Sequence, residues 1–284
     1  MKLNFLFRSA TAKIIAINVA IFILFTIISL FISPEKLINF LALQPISIIN
    51  GQKLWTILTS MFIHASFFHL FVNMFSLYFI GNFVEKIIGK KRFIIFYILS
   101  GIFAGIFWAI LSGYFAEFHP ILSNILGSPY IPGVGASGAL FGLVGILAVL
   151  TPKSKVYLIA GPLIAIILES IIAAIFNQNG LSDIAPYSSI MSLLSIVLTI
   201  YFMIAIFSMF SFDPKFRKIA LPIELSMWVL PIIAIIPLII VSIFIDLPIG
   251  NMAHLGGLIV GLTYAYYLRK KYPKRTKMLS RMFR

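Results

Sequence analysis

The chain contains no cysteine, and only 11% of its 284 residues carry a charge. The lack of cysteine excludes disulfide bonds, thiolate nucleophiles and Cys-ligated metal sites, and four histidines leave little room for a histidine-only metal centre. Ordinary soluble domains have about 25% charged residues, so this composition excludes a soluble globular protein. Any chemistry must therefore use hydroxyls, imidazoles and carboxylates.

Hydrophobic residues make up 61% of the chain, and the mean hydropathy is +1.08. A helix that crosses the hydrocarbon layer needs about 20 apolar residues. The apolar runs predict an all-α, polytopic membrane helix bundle of about eight transmembrane helices. The eight segments are Ile14–Ile32, Phe67–Val84, Phe93–Leu111, Ala136–Leu150, Val156–Phe176, Tyr187–Phe210, Leu225–Ile245 and Met252–Leu268.

The net charge of +14 follows from 22 basic and 8 acidic residues. On a soluble chain this excess would suggest nucleic-acid binding, but here the basic residues form short clusters between apolar runs. Lys and Arg near span ends remain on the cytoplasmic side. With the N-terminus inside, every basic residue except Lys36 and Lys53 falls on the inner side, which predicts cytoplasmic termini and no nucleic-acid partner. The basic tail at 269–284 also predicts contact with anionic lipid headgroups.

One serine stands among glycines at the predicted outer end of the fourth span, in Gly135-Ala-Ser137-Gly138, which continues to Gly142 and Gly145. Glycines beside a helix N-terminus allow close backbone approach and leave N–H groups that can stabilise an oxyanion. The alternative is that these small residues simply pack a membrane helix. The tetrapeptide alone favours that structural interpretation.

A histidine begins the eighth span, in Ala253-His254-x2-Gly257-x3-Gly261. At 100° per residue the two glycines lie on the face of His254, so this face can press against another helix. Three predicted spans lead from the serine helix to the histidine helix, so Ser137 and His254 lie near the same outer side. A Ser–His contact is permitted, although a histidine bonded to a neighbouring carbonyl is an ordinary alternative.

The second span carries His69 and Asn73, which stand four residues apart and share a helix face. Both side chains can donate hydrogen bonds of the kind that stabilise a tetrahedral oxyanion. The alternative is two polar groups that bond to adjacent helices. We assign a structural role to His64 and a solvated loop position to His119.

In chain order, the motifs with His69 and Asn73, with Ser137 and with His254 together resemble the rhomboid family of intramembrane serine proteases. The runs from Trp55 to His64 and from Val84 to Gly89 are also similar to that family. The resemblance implies that Ser137 is the nucleophile and His254 its base. It further implies an oxyanion hole formed by His69, Asn73 and the Ser137 backbone N–H, with structural glycines at Gly135, Gly138, Gly257 and Gly261.

The chain departs from the family pattern in two places. The usual Trp-Arg pair of the first external loop is Trp55-Thr56 here, which removes a cationic contact. The family core has one helix between the serine and histidine helices, whereas three are predicted here. We therefore expect a single integral membrane domain over 1–284, with a rhomboid-like core at 14–150 and 252–268. The added helices lie within 156–245, followed by the basic cytoplasmic tail, and position favours the span directly before His254 as the substrate gate.

The predicted function is hydrolysis of peptide bonds in or near transmembrane segments of other membrane proteins, by a Ser–His dyad in the bilayer. No acidic residue occurs in the serine or histidine helix, so we expect a dyad without a triad carboxylate. Glu169 of span five is the less favoured alternative as a third member, or it lines a polar pathway. The resemblance implies no cofactor and no metal. The lack of cysteine and of a targeting segment favours a prokaryotic cell membrane.

Two other functions compete with proteolysis. A catalytically silent rhomboid-like protein would bind membrane proteins without cutting them, but such relatives commonly lack the serine or the histidine. A small-solute transporter would explain eight spans and an intramembrane Glu169. Transporters often have related halves, and we find no internal symmetry in this sequence.

Overall fold

A computed structural model describes residues 9–161, 164, 167–168, 171–172, 176, 185–244, 247 and 249–283. Within these ranges the regular secondary structure is helical apart from one two-stranded ribbon. The prediction of an α-helical membrane bundle is confirmed.

Residues 9–150 form helices that are joined by short loops. Two of them, α5 and α6, are linked by a π-helical turn at Leu77–Gly81, so that 67–88 forms one long helix. Gly89, with φ +84°, separates this helix from the next. The helices are α1 (Ala10–Ile28), α2 (Pro34–Leu41), α3 (Pro45–Ile49), α4 (Thr56–Thr59), α5 (Phe67–Ser76), α6 (Asn82–Ile88), α7 (Lys90–Phe115), α8 (Pro120–Leu126) and α9 (Ser137–Leu150).

The second half contains both strands and the remaining helices. The described residues between 160 and 176 are helical. The elements with defined bounds are β1 (Lys155–Ile159), α10 (Ala185–Met209), α11 (Pro214–Arg217), β2 (Pro222–Ser226), α12 (Leu230–Ser242), α13 (Asn251–Lys271) and α14 (Pro273–Met282). Short 3-10 turns occupy Ser60–Phe62, Ala116–Phe118 and Lys218–Ala220.

Three helical stretches of the described chain are long and apolar enough to cross a membrane: Ala10–Ile28, Phe67–Ile88 and Lys90–Phe118. Shorter apolar helices cover Ser137–Leu150, Ile196–Met209 and Leu230–Ser242. Helix α13 spans 21 residues but carries more polar side chains. The predicted spans one to four, six and eight therefore correspond to helices within a few residues, and the number of eight spans stays a prediction.

The predicted starts of spans five and seven were wrong. Val156 and Leu225 lie opposite each other in the antiparallel ribbon of β1 and β2. The ladder satisfies backbone groups of both strands, and Lys155 Nζ lies 3.2 Å from Glu224 Oε1 across it. Helix α12 begins only at Leu230, after the strand has ended.

Helix α9 lies at the centre of the bundle, where most of its residues are buried. Its neighbours are α13 and α7, and the surrounding core includes the fully buried rings of Phe93 and Tyr97. By contrast, α1 and α10 expose large apolar side chains on their outer faces, as expected for helices in contact with lipid. The serine motif therefore stands at the start of a helix whose side chains are mostly buried.

The N-terminus of α1 is held by a carboxylate from α6. Glu85 accepts hydrogen bonds from the backbone N–H of Ala10 and Thr11, each at 2.8 Å. The hydroxyls of Ser9 and Thr11 donate to the same carboxylate at 2.8 and 2.7 Å. These groups are among the first N–H groups of the helix, which have no acceptor within it. Glu85 therefore joins the first span to the second.

Candidate active site

The loop before α9 places Ser137 at the first position of that helix. Gly135 has φ +122°, a conformation that L side chains rarely adopt, and its N–H donates to Ser60 O at 2.8 Å. Ala136 then forms the N-cap, and the helix begins at Ser137. The first N–H groups of a helix lack intrahelical acceptors and carry partial positive charge. Ser137 thus stands at an end of α9 that favours negative charge.

The structure brings His254 to Ser137. Nε2 of His254 lies 2.8 Å from the serine Oγ, although the two residues are 117 positions apart in the chain. The other ring nitrogen, Nδ1, is buried and has no hydrogen-bond partner among the described residues. No carboxylate therefore contacts this imidazole within the described part, and Glu169 lies outside it.

Phe141 supports the imidazole from the serine helix. Its ring is stacked on that of His254, with centroids 4.4 Å apart and planes inclined by 15°. Phe141 is not among the site residues that the sequence motifs predict. The signal was available, because Phe141 stands four positions after Ser137 and hence on the same face of α9.

Glycines allow the serine and histidine helices to approach each other. A Cβ atom at Gly257 would collide with the carbonyl oxygen of Gly138, and one at Gly261 would collide with that of Gly142. A Cβ at Gly138 would stand 2.7 Å from the Cβ of Ala104 on α7. Gly138, Gly257 and Gly261 therefore occupy positions where backbone meets backbone or a neighbouring helix.

His69 and Asn73 lie on α5, beside the loop that leads to Ser137. A Cβ atom at Gly135 would stand 2.8 Å from Nε2 of His69, so this glycine packs directly against the imidazole. Asn73 is 3% exposed, and its Nδ2 donates to the His69 carbonyl at 2.8 Å. That bond uses one of the two amide hydrogens. The second remains to serve another acceptor.

His64 lies ahead of α5 and packs behind His69. Their rings meet edge to face with centroids 5.2 Å apart, and His64 is 2% exposed. Burial, reinforced by the nearby His69 imidazole, lowers the pKa of His64 from 6.5 to about 3. His119 is exposed, lies between α7 and α8, and accepts a hydrogen bond at Nδ1 from Ile121 N at the start of α8.

The start of the histidine helix is tied to α12. Asn251 Nδ2 donates to the Ser242 hydroxyl at 2.8 Å, and that hydroxyl donates to Leu238 O at 2.8 Å. Both side chains are buried. Asn251 precedes His254 by three residues, and the sequence does not predict this contact because Ser242 lies in a different helix.

A lysine makes a cationic contact beside the Trp55-Thr56 pair. Lys53 Nζ donates to the backbone oxygen of Asn39 at 2.9 Å and to its Oδ1 at 2.7 Å. The Trp55 indole N–H donates to Phe40 O at 2.8 Å. Thr56 is buried and bonds to the Lys53 carbonyl. Lys53 therefore joins the segment before Trp55 to the end of α2.

Comparison with known proteins gives matches across most of the chain. A family model described as Rhomboid domain matches residues 51–206 and 197–271. The chain is 32% identical over 137 residues to "Rhomboid protease GluP" of Bacillus subtilis (strain 168), covering 48% of this chain and 24% of that protein. It is 35% identical over 101 residues to "Putative rhomboid protease YdcA" of the same organism, covering 36% and 43%.

A further match is to "Inactive RHOMBOID-like protein 8" of Arabidopsis thaliana, at 31% identity over 138 residues, which cover 49% of this chain and 34% of that protein. The matched regions thus span less than half the length of these relatives. The two relatives named as proteases and the one named as inactive are similarly identical to this chain, at 31% to 35%.

Proposed function

The chain belongs to the rhomboid family, and on that premise we propose that it is an intramembrane serine endopeptidase that uses Ser137 and His254 as a dyad. The observation that carries the proposal is the 2.8 Å distance between His254 Nε2 and Ser137 Oγ. A nucleophile within hydrogen-bond reach of a base is the arrangement that covalent catalysis requires.

The proposed reaction begins when His254 Nε2 accepts the Ser137 hydroxyl proton and Oγ attacks a substrate carbonyl carbon. The tetrahedral intermediate collapses as the C–N bond breaks, and His254 returns the proton to the leaving amine. Water then hydrolyses the acyl-enzyme by the same sequence of proton transfers. In this scheme Nδ1 of His254 carries a proton throughout. The stacked Phe141 ring, and not a carboxylate, holds the imidazole in position.

The oxyanion would lie at the N-terminus of α9. The Ser137 backbone N–H, the His69 imidazole and the second Asn73 amide hydrogen are the proposed donors. The contact of Gly135 with the His69 ring supports this assignment, because it holds that ring beside the loop that carries the serine. Loss of one such donor typically costs about 2.7–4 kcal/mol of transition-state stabilisation.

The protein is embedded in a membrane, as its family and its apolar helices require. We further propose a prokaryotic cell membrane with both termini in the cytoplasm, a single domain over 1–284, and transmembrane proteins as substrates. A helical substrate must unwind before cleavage, because an intact helix hides its carbonyls in internal hydrogen bonds.

The main alternative is a rhomboid-like protein that binds membrane proteins without cutting them. One relative that the chain matches is named as inactive, which supports this alternative.

The test is labelling of detergent-solubilised protein with a fluorophosphonate probe. We expect labelling of the parent and none of Ser137→Ala or His254→Ala. If folded parent shows no more label than these variants and cleaves no reconstituted transmembrane substrate, the protein is not a hydrolase.

A further inference from the structure

A cavity of about 360 Å³ lies at the end of the bundle opposite the Ser–His pair. Val149 and Pro152 line it from the C-terminal end of the serine helix α9, and Arg269 lines it from the last turn of the histidine helix α13. The other lining residues belong to α14: Pro273, Thr276, Lys277 and Ser280. One wall is therefore apolar, and the other carries two cations and two hydroxyls.

The two cations of this cavity, Arg269 and Lys277, form no salt bridge among the described residues. No Asp or Glu occurs after residue 246 of the chain, and the salt bridge of the described part, Lys155 with Glu224, lies elsewhere. Neighbouring Lys271 is engaged differently: its Nζ donates to the Tyr267 hydroxyl at 2.7 Å and lies over that ring. Arg269 and Lys277 thus face the cavity with positive charge that the described protein does not neutralise.

The hydroxyls add a hydrogen-bond donor to these charges. Thr276 Oγ1 donates within the chain, to Tyr272 O at 3.0 Å. The Ser280 hydroxyl makes no hydrogen bond to another described residue, so its proton is available to a ligand. A guanidinium, an ammonium and a hydroxyl around one cavity form a donor set that suits the oxygens of a phosphate.

The placement of α14 holds this wall at the level of the span ends. Leu279 packs on the core, and the ring of Phe283 meets that of Phe83 with centroids 4.8 Å apart. Lys274 and Arg275 are exposed on the same helix and do not line the cavity. A basic amphipathic helix beside the ends of membrane spans lies at headgroup depth, where anionic lipid is concentrated.

We propose that this cavity binds a phosphate group, held by Arg269, Lys277 and Ser280, which an anionic phospholipid headgroup or a soluble phosphate supplies. The apolar wall of Val149 and Pro152 suits the glycerol and first acyl carbons of a lipid. Occupancy joins α14 to the inner end of the serine helix, so the ligand stabilises the folded protein by mass action.

The experiment uses the full-length protein in neutral detergent. Native mass spectrometry measures binding of phosphatidylglycerol, with phosphatidylcholine as the zwitterionic lipid, and thermal unfolding is followed with each lipid and with inorganic phosphate. The cavity variant is Arg269→Gln with Lys277→Gln. The matched control is Lys274→Gln with Arg275→Gln, which removes the same charge from positions that do not line the cavity.

We expect one tightly bound phosphatidylglycerol, with affinity about thirtyfold lower in the cavity variant, since each Lys or Arg near the headgroups changes binding roughly fivefold. The control should change it less than about threefold. Ser280→Phe, which fills the cavity without changing charge, should also abolish the bound lipid.

The two sources are distinguished by their effects on the unfolding temperature. Stabilisation by phosphatidylglycerol alone identifies the lipid, and equal stabilisation by inorganic phosphate identifies a soluble ligand. Equal losses in the cavity and control variants would overturn the proposal, because they indicate general surface attraction. Absence of any saturable binding by either probe would overturn it as well.

Discussion

The imidazole of His254 lies flat on the ring of Phe141, with centroids 4.4 Å and planes 15° apart. The same helix, α9, thus carries the serine hydroxyl and the surface on which the imidazole rests. Because Nδ1 has no partner among the described residues, stacking and the Ser137 contact hold the ring. An aromatic pair contributes about 0.5–1.5 kcal/mol beyond its buried area. Phe141 is therefore a positioning residue for the proposed dyad.

Replacing Phe141 by Leu should lower kcat by roughly ten- to hundredfold, because small displacements of reacting groups are costly. KM for a transmembrane substrate should stay near the parent value. Phe141→Tyr retains the stacked ring and should keep most of the activity. A purely structural role predicts a different result, in which both variants lose folded protein while the remaining fraction has parental kcat.

Gly257→Ala should separate the serine and histidine helices. The added Cβ meets the Gly138 carbonyl oxygen on the facing backbone, which cannot move aside as a side chain can. Overpacking of this kind typically costs about 1–3 kcal/mol, so we expect a lower unfolding temperature and loss of probe labelling. Gly250→Ala is the control, since its Cβ would make an ordinary 3.6 Å contact with Ala253. Parental stability and labelling in Gly257→Ala would disprove the close approach.

The helix approach could be predicted from sequence because its cause is local and periodic. Gly257 and Gly261 recur on the face of His254, and Gly138 and Gly142 recur beside Ser137, so each half of the interface was visible alone. The Phe141 stack and the bond from Asn251 to Ser242 were not foreseen. Both depend on which helix faces which, and hydropathy carries no such information.

The ribbon of β1 and β2 could not be predicted from hydropathy. Each strand merges into a longer apolar run, and the pairing partners, such as Val156 and Leu225, lie far apart in sequence. A weak signal did exist in the polar residues Lys155 and Glu224, which stand at the edges of those runs and pair across the ribbon. The start of α1 at Ala10 rather than Ile14 has a similar reason, because Glu85 caps it from a distant helix.

Glu85→Gln should weaken the attachment of α1 to α6. Four hydrogen bonds to the carboxylate become bonds to a neutral amide, and one oxygen is replaced by a donor. Loss of hydrogen bonds to a charged group costs about 1.5–3 kcal/mol, and thermal unfolding measures this loss. Glu35→Gln, also in the first turn of a helix but exposed, should change stability by less than about 0.5 kcal/mol. Equal effects of the two substitutions would exclude a capping role.

Burial of His64 should make the folded protein less stable in mild acid than at neutral pH. Burial lowers its pKa in the folded protein from 6.5 to about 3, so the unfolded chain binds the proton more readily. The contribution of neutral His64 to the free energy of unfolding is therefore complete above pH 6.5 and is lost as the pH falls toward 3. Between pH 7.5 and 5 the loss is at most about 2 kcal/mol. The unfolding temperature of His64→Phe should therefore fall less over this range than that of the parent or of the exposed-site control His119→Gln. Parallel pH profiles for all three would exclude His64 as the cause.

Contacts of α10 with the helix that carries His69 and Asn73 suggest where a substrate enters, if the proposed function holds. Phe202 meets Phe68 edge to face, with centroids 4.4 Å apart, whereas α12 packs on the serine and histidine helices. Sequence position favours the segment directly before His254 as the gate, but Phe202 of α10 contacts the helix that carries His69 and Asn73 directly. Phe202→Ala should therefore speed cleavage of a reconstituted transmembrane substrate several-fold and leave labelling by a small fluorophosphonate unchanged.

Phe207→Ala, at a 60% exposed position of the same helix, is the matched control and should leave both rates unchanged. Unchanged cleavage in Phe202→Ala, with faster cleavage after Ile236→Ala on α12, would instead assign the gate to α12.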